Sequence, residues 1–100
     1  MKLIWSKESL NRLIEIEEFI SKDNPIIAEE FIDFIILKSE VLVGNPESGR
    51  IVPEISNPQI RELIIRNYRI VYRVQDKHIE ILTVFEAHRL LRRSEILPNE

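Results

Sequence analysis

The sequence predicts an α+β fold in which an N-terminal strand and a helical hairpin pack on an antiparallel sheet, in the order β-α-α-β-β-β followed by a short C-terminal helix or arm. Two observations predict it. In the first half of the chain, apolar side chains recur mostly three or four positions apart, which is the spacing of a helix face. After residue 59 the pattern changes to short runs rich in Ile, Val and Tyr, which are typical of strands.

The size and composition predict one small domain over residues 1–100. Hydrophobic residues make up 44% of the chain and charged residues 31%, which excludes a disordered or collagen-like protein. There is no cysteine and there are only two histidines, so we expect no disulfide, no metal and no cofactor. The N-terminus lacks the apolar region of a secretory signal, and no apolar run approaches the about 20 residues of a membrane-crossing helix. We therefore expect a cytoplasmic protein without membrane contact.

The first strand and helix are read from their boundary residues. Lys2 to Trp5 is a short apolar run that ends at Ser6, a good N-cap, and Glu8 lies in the first turn where the helix dipole favours a negative charge. The helix ends near Lys22, because Asn24 can cap a new helix and Pro25 cannot continue an old one. Its predicted inner face comprises Leu10, Leu13, Ile14, Ile16, Phe19 and Ile20.

The second helix is predicted from Pro25 to about Val43, with Gly44 just past its end. Its apolar residues cover too wide an arc for one stripe, so the helix should face the first helix and a sheet, and part of the surface would be left for a partner protein. Phe31 and Phe34 belong to this surplus.

The second half of the chain predicts a three-stranded meander. The strands are Ile60 to Ile65, Tyr68 to Val74 and Ile79 to Phe85, joined by links that are short enough only for antiparallel hairpins. Before them, only Ile51 to Val52 could pair briefly, and after them Ala87 to Ile96 should form a short helix or an arm. In the middle strand Arg69, Val71 and Arg73 share one face and Ile70, Tyr72 and Val74 the other. We therefore expect Arg69 to project away from the core, where it can reach a ligand.

Charge is unevenly distributed along the chain. The net charge is −3, which counts against a surface wholly adapted to nucleic acid, yet residues 51–100 carry eight basic and seven acidic residues. The basic residues there are mostly arginines, whose planar donor fork suits phosphate or carboxylate. The clusters indicate an anionic partner or substrate, or else a solvated strand face and a helix C-terminus. They comprise Arg61, Arg66, Arg69 and Arg73 against only Glu62, and then His88, Arg89, Arg92 and Arg93.

Four sequence words, MKLIWSKES, PESGRIVPE, IRELIIRNYRIVYRV and IEILTVFEAHRLL, occur in this order. Together with the predicted element order they resemble the RelE/ParE superfamily of toxins from type II toxin–antitoxin modules, over residues 2 to about 91. The resemblance implies the small RelE/ParE-like fold and a cytoplasmic toxin that is neutralised by a cognate antitoxin. It implies one of two actions, since RelE-like members cleave messenger RNA at the ribosome and ParE-like members poison DNA gyrase.

The nuclease alternative needs a base, an acid and cations around the reacting phosphate. By resemblance, Glu54 would be the base, Arg61 and Arg69 the cations, and His88 or Arg89 the acid of a metal-independent endoribonuclease. His88 comes about one position late for that role, no Tyr follows Tyr72, and the chain has only five lysines for docking to a ribosome.

The ending VFEAHRLLRR instead resembles the ParE-like branch, so the sequence favours gyrase as the target and leaves open whether the protein is an enzyme. A non-toxic module that only binds its antitoxin is a further alternative, and operator DNA would be reached only through the antitoxin. The residues that the resemblance implies for antitoxin or target binding are Phe31, Phe34, Arg69, Arg73, Arg89, Arg92 and Arg93.

Several of these residues also have a purely structural interpretation. Arg61 could pair with the carboxylate of Glu62 or Glu80, and Glu54 could be an ordinary loop acid. His88 could be a partly exposed residue at the start of a C-terminal helix. Tyr68 and Tyr72 are expected to be packing residues, and Trp5 a core residue, because aromatic side chains suit half-buried strands.

Overall fold

A computed structural model describes residues 1–89, 92 and 96. It confirms the predicted α+β class and element order, with a 3₁₀ turn between the second helix and the second strand. The elements are β1 (Lys2–Trp5), α1 (Lys7–Ser21), α2 (Pro25–Glu40), the 3₁₀ turn (Val41–Val43), β2 (Arg50–Ile51), β3 (Ile60–Ile65), β4 (Tyr68–Val74) and β5 (His78–Glu86).

Side-chain caps start both helices as predicted. The Ser6 hydroxyl accepts a hydrogen bond from the backbone N–H of Ser9, and the Asn24 side chain accepts from the N–H groups of Ile26 and Ile27. Such caps satisfy backbone donors that have no partner within the helix. The end of α2 differs slightly from the prediction, because its last turn tightens into the 3₁₀ turn before Gly44.

The sheet is mixed, although the sequence predicts an antiparallel one. Its strand order is β1-β5-β4-β3-β2, and β3, β4 and β5 form the predicted antiparallel meander. β1 joins the far edge parallel to β5, with Lys2 opposite His78 and Trp5 opposite Ile81. Hairpin lengths fix only the pairing of consecutive strands, so they carry no information about this pairing of distant strands. The brief strand β2 covers Arg50–Ile51, one residue earlier than predicted.

The helical hairpin covers one face of the sheet and forms the main core. Tyr72 is fully buried and Tyr68 is 8% exposed, which confirms both as packing residues, while Trp5 is partly buried against the same core. The inner face of α1 is narrower than predicted, because Leu10, Ile14 and Phe19 are exposed. The other buried members of this cluster are Leu13, Ile16, Phe31, Ile35, Leu42, Ile65, Ile70, Ile79, Ile81 and Val84.

A second hydrophobic cluster is separate from the main core. Val71, whose side chain points opposite to those of Ile70 and Tyr72, belongs to it. Residues 52–58 contribute Val52, at 0% exposed, and Ile55, at 5%. The connecting segment therefore covers the central part of the helix-free face of the sheet, around Val71. The remaining members are Ile60, Phe85 and Ile96.

The C-terminal prediction falls mostly outside the described residues. Residues 87–89 form a turn, in which the N–H of Arg89 donates to the carbonyl of Glu86. The predicted helix or arm beyond this turn lies outside the described part, apart from residues 92 and 96. Within the described ranges, neither helix has the length and apolar character that crossing a bilayer requires.

Candidate functional site

Arg69 is buried at the centre of an ion-pair cluster. Its side chain is 4% exposed, so the expectation that it projects outward toward a ligand is wrong. Its Nη1 and Nη2 atoms donate to the two carboxylate oxygens of Glu54, at 2.8 Å each, and its Nε donates to Glu62 at 2.6 Å. Nη1 also donates to the backbone carbonyl of Arg89 at 2.9 Å. Arg69 thus joins β4, the 52–58 segment and the turn after β5.

The fold of residues 52–58 explains why the prediction failed. Ser56 has a left-handed backbone with φ of 55°, its N–H donates to the carbonyl of Val52, and its hydroxyl donates to the carbonyl of Pro53. This tight turn lies between the buried side chains of Val52 and Ile55 and holds Glu54 over Arg69. Strand alternation correctly places Arg69 on the helix-free face, but that face is covered by a segment with no regular pattern.

Glu62 completes the cluster on the adjacent strand. Its side chain is 0% exposed and bridges two guanidinium groups, because Arg50 donates to its other oxygen at 2.6 Å. The pKa of Arg69 is raised, mainly by its hydrogen bonds with Glu54 and further by Glu62. Burial acts in the opposite direction and lowers this pKa. Arg69 therefore stays charged wherever the protein is folded, and both carboxylates compensate that charge.

Several of the predicted site residues meet at one cavity of about 380 Å³, which we call the Arg69 cavity. Glu54 and Arg69 form one wall, and the turn after β5 provides the other, where His88 and Arg89 are exposed. The Arg89 guanidinium lies 4.4 Å from the ring centroid of Phe85. The cavity is lined by Arg50, Pro53, Glu54, Arg69, Ala87, His88 and Arg89.

Arg61 is not part of this cavity. It is half-buried on β3, and its guanidinium donates to the carbonyls of Gly49 at 3.0 Å and Pro58 at 3.2 Å. It therefore binds backbone carbonyls, and not the carboxylate of Glu62 or Glu80. The four residues proposed for a nuclease site are thus not all brought together.

The other predicted binding residues are dispersed. Phe31 is 5% exposed and its ring centroid lies 5.6 Å from that of Tyr68, so Phe31 is a core residue with little surface for a partner. Phe34 is half-buried at a surface groove, Arg73 is half-buried on β4, and Arg92 is exposed. Arg93 lies outside the described residues.

Sequence reasoning missed the roles of Glu62 and Arg50. The signal was present, because Glu62 is the one acid beside the arginines at 61, 66, 69 and 73. On one face of its strand, Glu62 lies between Ile60 and Ile64. A carboxylate in such an apolar position is buried only when a cation pairs with it, so an arginine on the neighbouring strand was to be expected.

The cluster limits the chemistry that the cavity can perform. Both oxygens of Glu54 accept hydrogen bonds from a single guanidinium, and this pairing makes the carboxylate a weaker proton acceptor than a general base requires. The exposed rim is basic, with Arg50, His88 and Arg89. No three His, Asp or Glu side chains converge as a metal site within residues 1–89, 92 and 96.

Comparisons with known proteins give a matching family model and a similar curated protein. The model of the ParE toxin of the type II toxin–antitoxin system parDE matches residues 3–91. A protein of Sinorhizobium fredii (strain NBRC 101917 / NGR234), described as "Putative toxin Y4kP", is 36% identical over 90 residues, which cover 88% of this chain and 90% of that protein.

Two solved structures share the fold. A chain of the chromosomal ParDE toxin–antitoxin system from P. aeruginosa superimposes with a TM-score of 0.74 and 22% identity, over 88% of this chain and 97% of that one. A double mutant of E. coli toxin RelE in the free state gives a TM-score of 0.63 and 17% identity, over 97% and 94% of the two chains. The family match spans most of the sequence, from β1 to just beyond the turn that closes the Arg69 cavity. The chain therefore belongs to the ParE toxin family of type II toxin–antitoxin systems.

Proposed function

We propose that this protein inhibits growth by acting on DNA gyrase and is neutralised by a cognate antitoxin. The observation that carries the choice of target is the closed pair of Arg69 and Glu54. These are two of the residues that an RNA-cleaving relative would need, and here they bind one another. The ParE family match supports the same branch.

Metal-free RNA cleavage requires a base that takes the proton of the 2′-OH and cations that stabilise the phosphorane. Arg69 is 3% exposed and its charge is compensated by two carboxylates. It would therefore attract a substrate phosphate only weakly. The proton-accepting oxygens of Glu54 are engaged by Arg69. The pair therefore favours a structural role over a catalytic one.

Two observations support neutralisation of this chain by an antitoxin: a similar structure from a toxin–antitoxin system, and exposed apolar side chains on the helices. One similar structure is part of a ParDE system, in which toxin and antitoxin belong together by name. In this chain, large apolar side chains on the helices remain exposed, among them Phe19 at 69%, Ile26 at 70% and Leu37 at 61%. Surface of this kind is typical of proteins that bind a partner.

Two assays on the purified chain test the target. We expect inhibition of gyrase supercoiling, with no stimulation of mRNA cleavage on ribosomes. His88→Ala and Glu54→Gln should leave gyrase inhibition within about twofold, because neither side chain is proposed to contact gyrase. Ribosome-dependent cleavage without any effect on gyrase would reject the proposed target.

RNA cleavage is the second candidate, and one observation favours it. Glu54, His88 and Arg89 line the same cavity, so a base and an acid lie at one space near cationic groups. If the chain is a nuclease, His88→Ala and Glu54→Gln should each lower mRNA cleavage by about 100-fold or more, the usual contribution of a general acid or base.

Toxicity itself is tested by expressing the chain alone and together with the protein encoded by the adjacent gene. We expect growth arrest in the first case and normal growth in the second. Normal growth at high expression of a folded chain would instead indicate a module that only binds its antitoxin.

A further inference from the structure

On the helix-covered side of the sheet, a cavity of about 360 Å³ lies between α1 and the strands β4 and β5. We call it the Tyr68 cavity. Its apolar part comprises Ile16, which is 6% exposed, and Phe19, whose ring is largely open to solvent at 69% exposed. Apolar surface beside a few polar groups is the usual makeup of a binding site. The polar residues that line the cavity are Arg12, Glu15, Asn67, Tyr68 and Glu86.

Tyr68 brings to this cavity a hydroxyl group that has no hydrogen-bond partner. The residue is only 8% exposed, and its ring centroid lies 5.6 Å from that of Phe31. The hydroxyl forms no hydrogen bond with any residue in the described part of the chain. Every fully enclosed side-chain polar atom in that part has a partner, so this hydroxyl is not sealed off, and it opens into the cavity that Tyr68 lines. A buried phenol normally has a partner, so this one is left for a group that enters the cavity.

Two carboxylates line the cavity and share one guanidinium. Arg12 donates to Glu15 at 3.0 Å and forms a longer ion pair, of 3.8 Å, with Glu86. One guanidinium against two carboxylates leaves the lining with a charge of −1. Arg12 is also held elsewhere, because its Nε donates to the carbonyl of Val84 and its guanidinium lies 5.2 Å from the ring centroid of Phe85. The excess negative charge in a half-enclosed space therefore attracts a further cation.

Phe19 is the one phenylalanine that has no cation over its ring in the described part of the chain. The rings of Phe31, Phe34 and Phe85 each have an arginine within 5.4 Å of the centroid. Phe19 follows Glu15 by four residues on α1, so its ring and that carboxylate lie on the same face of the helix. A cation held by the carboxylates would therefore lie close to an open aromatic face.

The groups of the Tyr68 cavity suit an arginine better than a lysine. Glu15 and Glu86 each keep an oxygen that accepts no hydrogen bond within the described ranges. A guanidinium carries five donors in one plane, so it can bind both of these oxygens and the Tyr68 hydroxyl while its flat face lies on an aromatic ring. An ammonium group has three donors and no flat face, so it would leave part of the cavity unused.

We propose that the Tyr68 cavity receives an arginine side chain from the surface of gyrase. The guanidinium binds the carboxylates of Glu15 and Glu86 and the hydroxyl of Tyr68, and its flat face lies on the ring of Phe19. This inference rests on the gyrase target proposed above and assigns it a surface.

Charge favours gyrase as the source of the arginine. An enzyme that holds DNA presents arginines outward, toward phosphates, and does not pair them with its own carboxylates. The helix beside the cavity is acidic, because α1 carries four glutamates against one lysine and one arginine. The cavity and its surroundings therefore complement a protein surface that is built to bind DNA.

Tyr68→Phe tests the hydroxyl. Because this hydroxyl has no partner in the described part of the chain, the variant should keep the wild-type midpoint in urea. Its Kd for purified gyrase, measured by biolayer interferometry, should rise about three- to tenfold, which is the usual effect of one lost hydrogen bond. Tyr72→Phe is the matched control, since its hydroxyl is bound by Gly49 and Pro46 inside the fold. It should lower the urea midpoint and leave the Kd for gyrase within about twofold.

Glu15→Gln/Glu86→Gln tests the charge, because it keeps the size of both side chains and removes both negative charges. The double variant should raise the Kd for gyrase by about tenfold or more and make binding less dependent on salt. The matched control is Glu29→Gln/Glu40→Gln, which makes the same change in net charge at exposed positions of α2 outside the cavity. It should leave Kd within about threefold.

Two replacements of Phe19 test the stacking. Phe19→Leu keeps an apolar side chain but removes the aromatic face, so it should raise the Kd for gyrase by about fivefold. Phe19→Trp supplies the ring that attracts cations most strongly, so it should bind at least as tightly as the wild type within about twofold. Wild-type affinity in the leucine variant would overturn the stacked arginine.

The outcomes separate the two proposals. If the wild-type chain neither binds gyrase nor inhibits supercoiling, the proposed target is overturned and the assignment of the cavity with it. If the wild-type chain binds and inhibits gyrase, and Tyr68→Phe and the double glutamine variant do so equally well, only the assignment of the cavity is overturned. If these variants instead weaken binding of the protein encoded by the adjacent gene and leave gyrase inhibition unchanged, the cavity belongs to the antitoxin and the gyrase arginine is rejected.

Discussion

The guanidinium of Arg69 and the carboxylate of Glu54 meet as a two-bond fork, with both N–O distances at 2.8 Å. Glu54 belongs to an irregular segment and Arg69 to the central strand β4, 15 residues apart in the sequence. The fork therefore holds a loop on the sheet. A substitution at Arg69 is expected to change the stability of the fold as well as any activity.

Arg69→Ala should destabilise the protein by about 3–5 kcal/mol, because it leaves the fully buried carboxylate of Glu62 without its buried cation. Urea denaturation followed by circular dichroism measures this loss. Arg50→Ala is the matched control, since Arg50 binds the same carboxylate but its side chain is 62% exposed, and it should cost less than about 1 kcal/mol. Equal losses in the two variants would contradict the assignment of Arg69 as the compensating charge.

Gly49→Ala should destabilise the protein by about 1–3 kcal/mol through overpacking. A Cβ atom at Gly49 would lie 2.5 Å from the carbonyl oxygen of Glu62 and 2.6 Å from the hydroxyl of Tyr72, so the second strand would have to move. Gly44→Ala is the control, because nothing lies within 4 Å of its added Cβ and its φ of −88° suits any residue. It should be neutral or stabilising by up to about 1 kcal/mol in the same denaturation experiment.

Alkaline pH should lower the free energy of unfolding, because the buried phenol groups of Tyr68 and Tyr72 lose their protons more easily in the unfolded state. Burial raises the pKa of Tyr72 above its usual value of 10.0, although a hydrogen bond from the backbone of Gly49 lowers it. Since the unfolded state loses the proton first, this stability is complete below about pH 10 and is lost as the pH rises toward the folded-state pKa. Burial raises the pKa of Tyr68 in the same direction.

Free energies of unfolding measured between about pH 8 and about pH 11 test this, and the slope should be shallower in Tyr72→Phe than in the wild type. At neutral pH the same variant should lose about 1–3 kcal/mol, because Gly49 and Pro46 lose their partners at the hydroxyl. A variant with the wild-type slope would show that Tyr72 does not titrate with unfolding.

Asn24→Ala should cost about 1 kcal/mol, because the N–H groups of Ile26 and Ile27 would lose the side-chain oxygen that caps α2. Asn11→Ala makes the same replacement at an exposed position inside α1, where alanine favours the helix, so it should raise stability by a few tenths of a kcal/mol. Thermal melts distinguish the two, and a loss of the same size at both sites would reject the capping role.

The parts of the fold governed by local rules were predictable. Ser6 and Asn24 cap the helices as their sequence positions predict, and the meander follows from links too short for any other connection. The parallel pairing of β1 with β5 was not predictable in this way. Whether an N-terminal strand joins the sheet, and at which edge, depends on the packing of the whole structure.

The candidate site was only half predictable, for a related reason. Alternation along β4 correctly placed Arg69 opposite Ile70, but it says nothing about what covers that face. The irregular segment around Ile55 covers it. The left-handed turn residue of that segment is Ser56, and a serine does not predict a left-handed backbone as a glycine or asparagine would. Glu62 was visible as a lone acid among arginines, and the rule that buried charges are paired was sufficient to connect it with Arg69.

The parallel alignment of β1 and β5 also constrains when the chain can finish folding. The hydroxyl of Ser6, just after β1, donates to the carbonyl of Leu82, 76 residues later, so β1 is synthesised long before the residues that it pairs with. The loop that must close is nearly as long as the described chain, which makes this a slow, non-local step. During synthesis, the completed sheet therefore forms only after translation has passed residue 86, because β5 is the strand that joins β1 to the rest of the sheet.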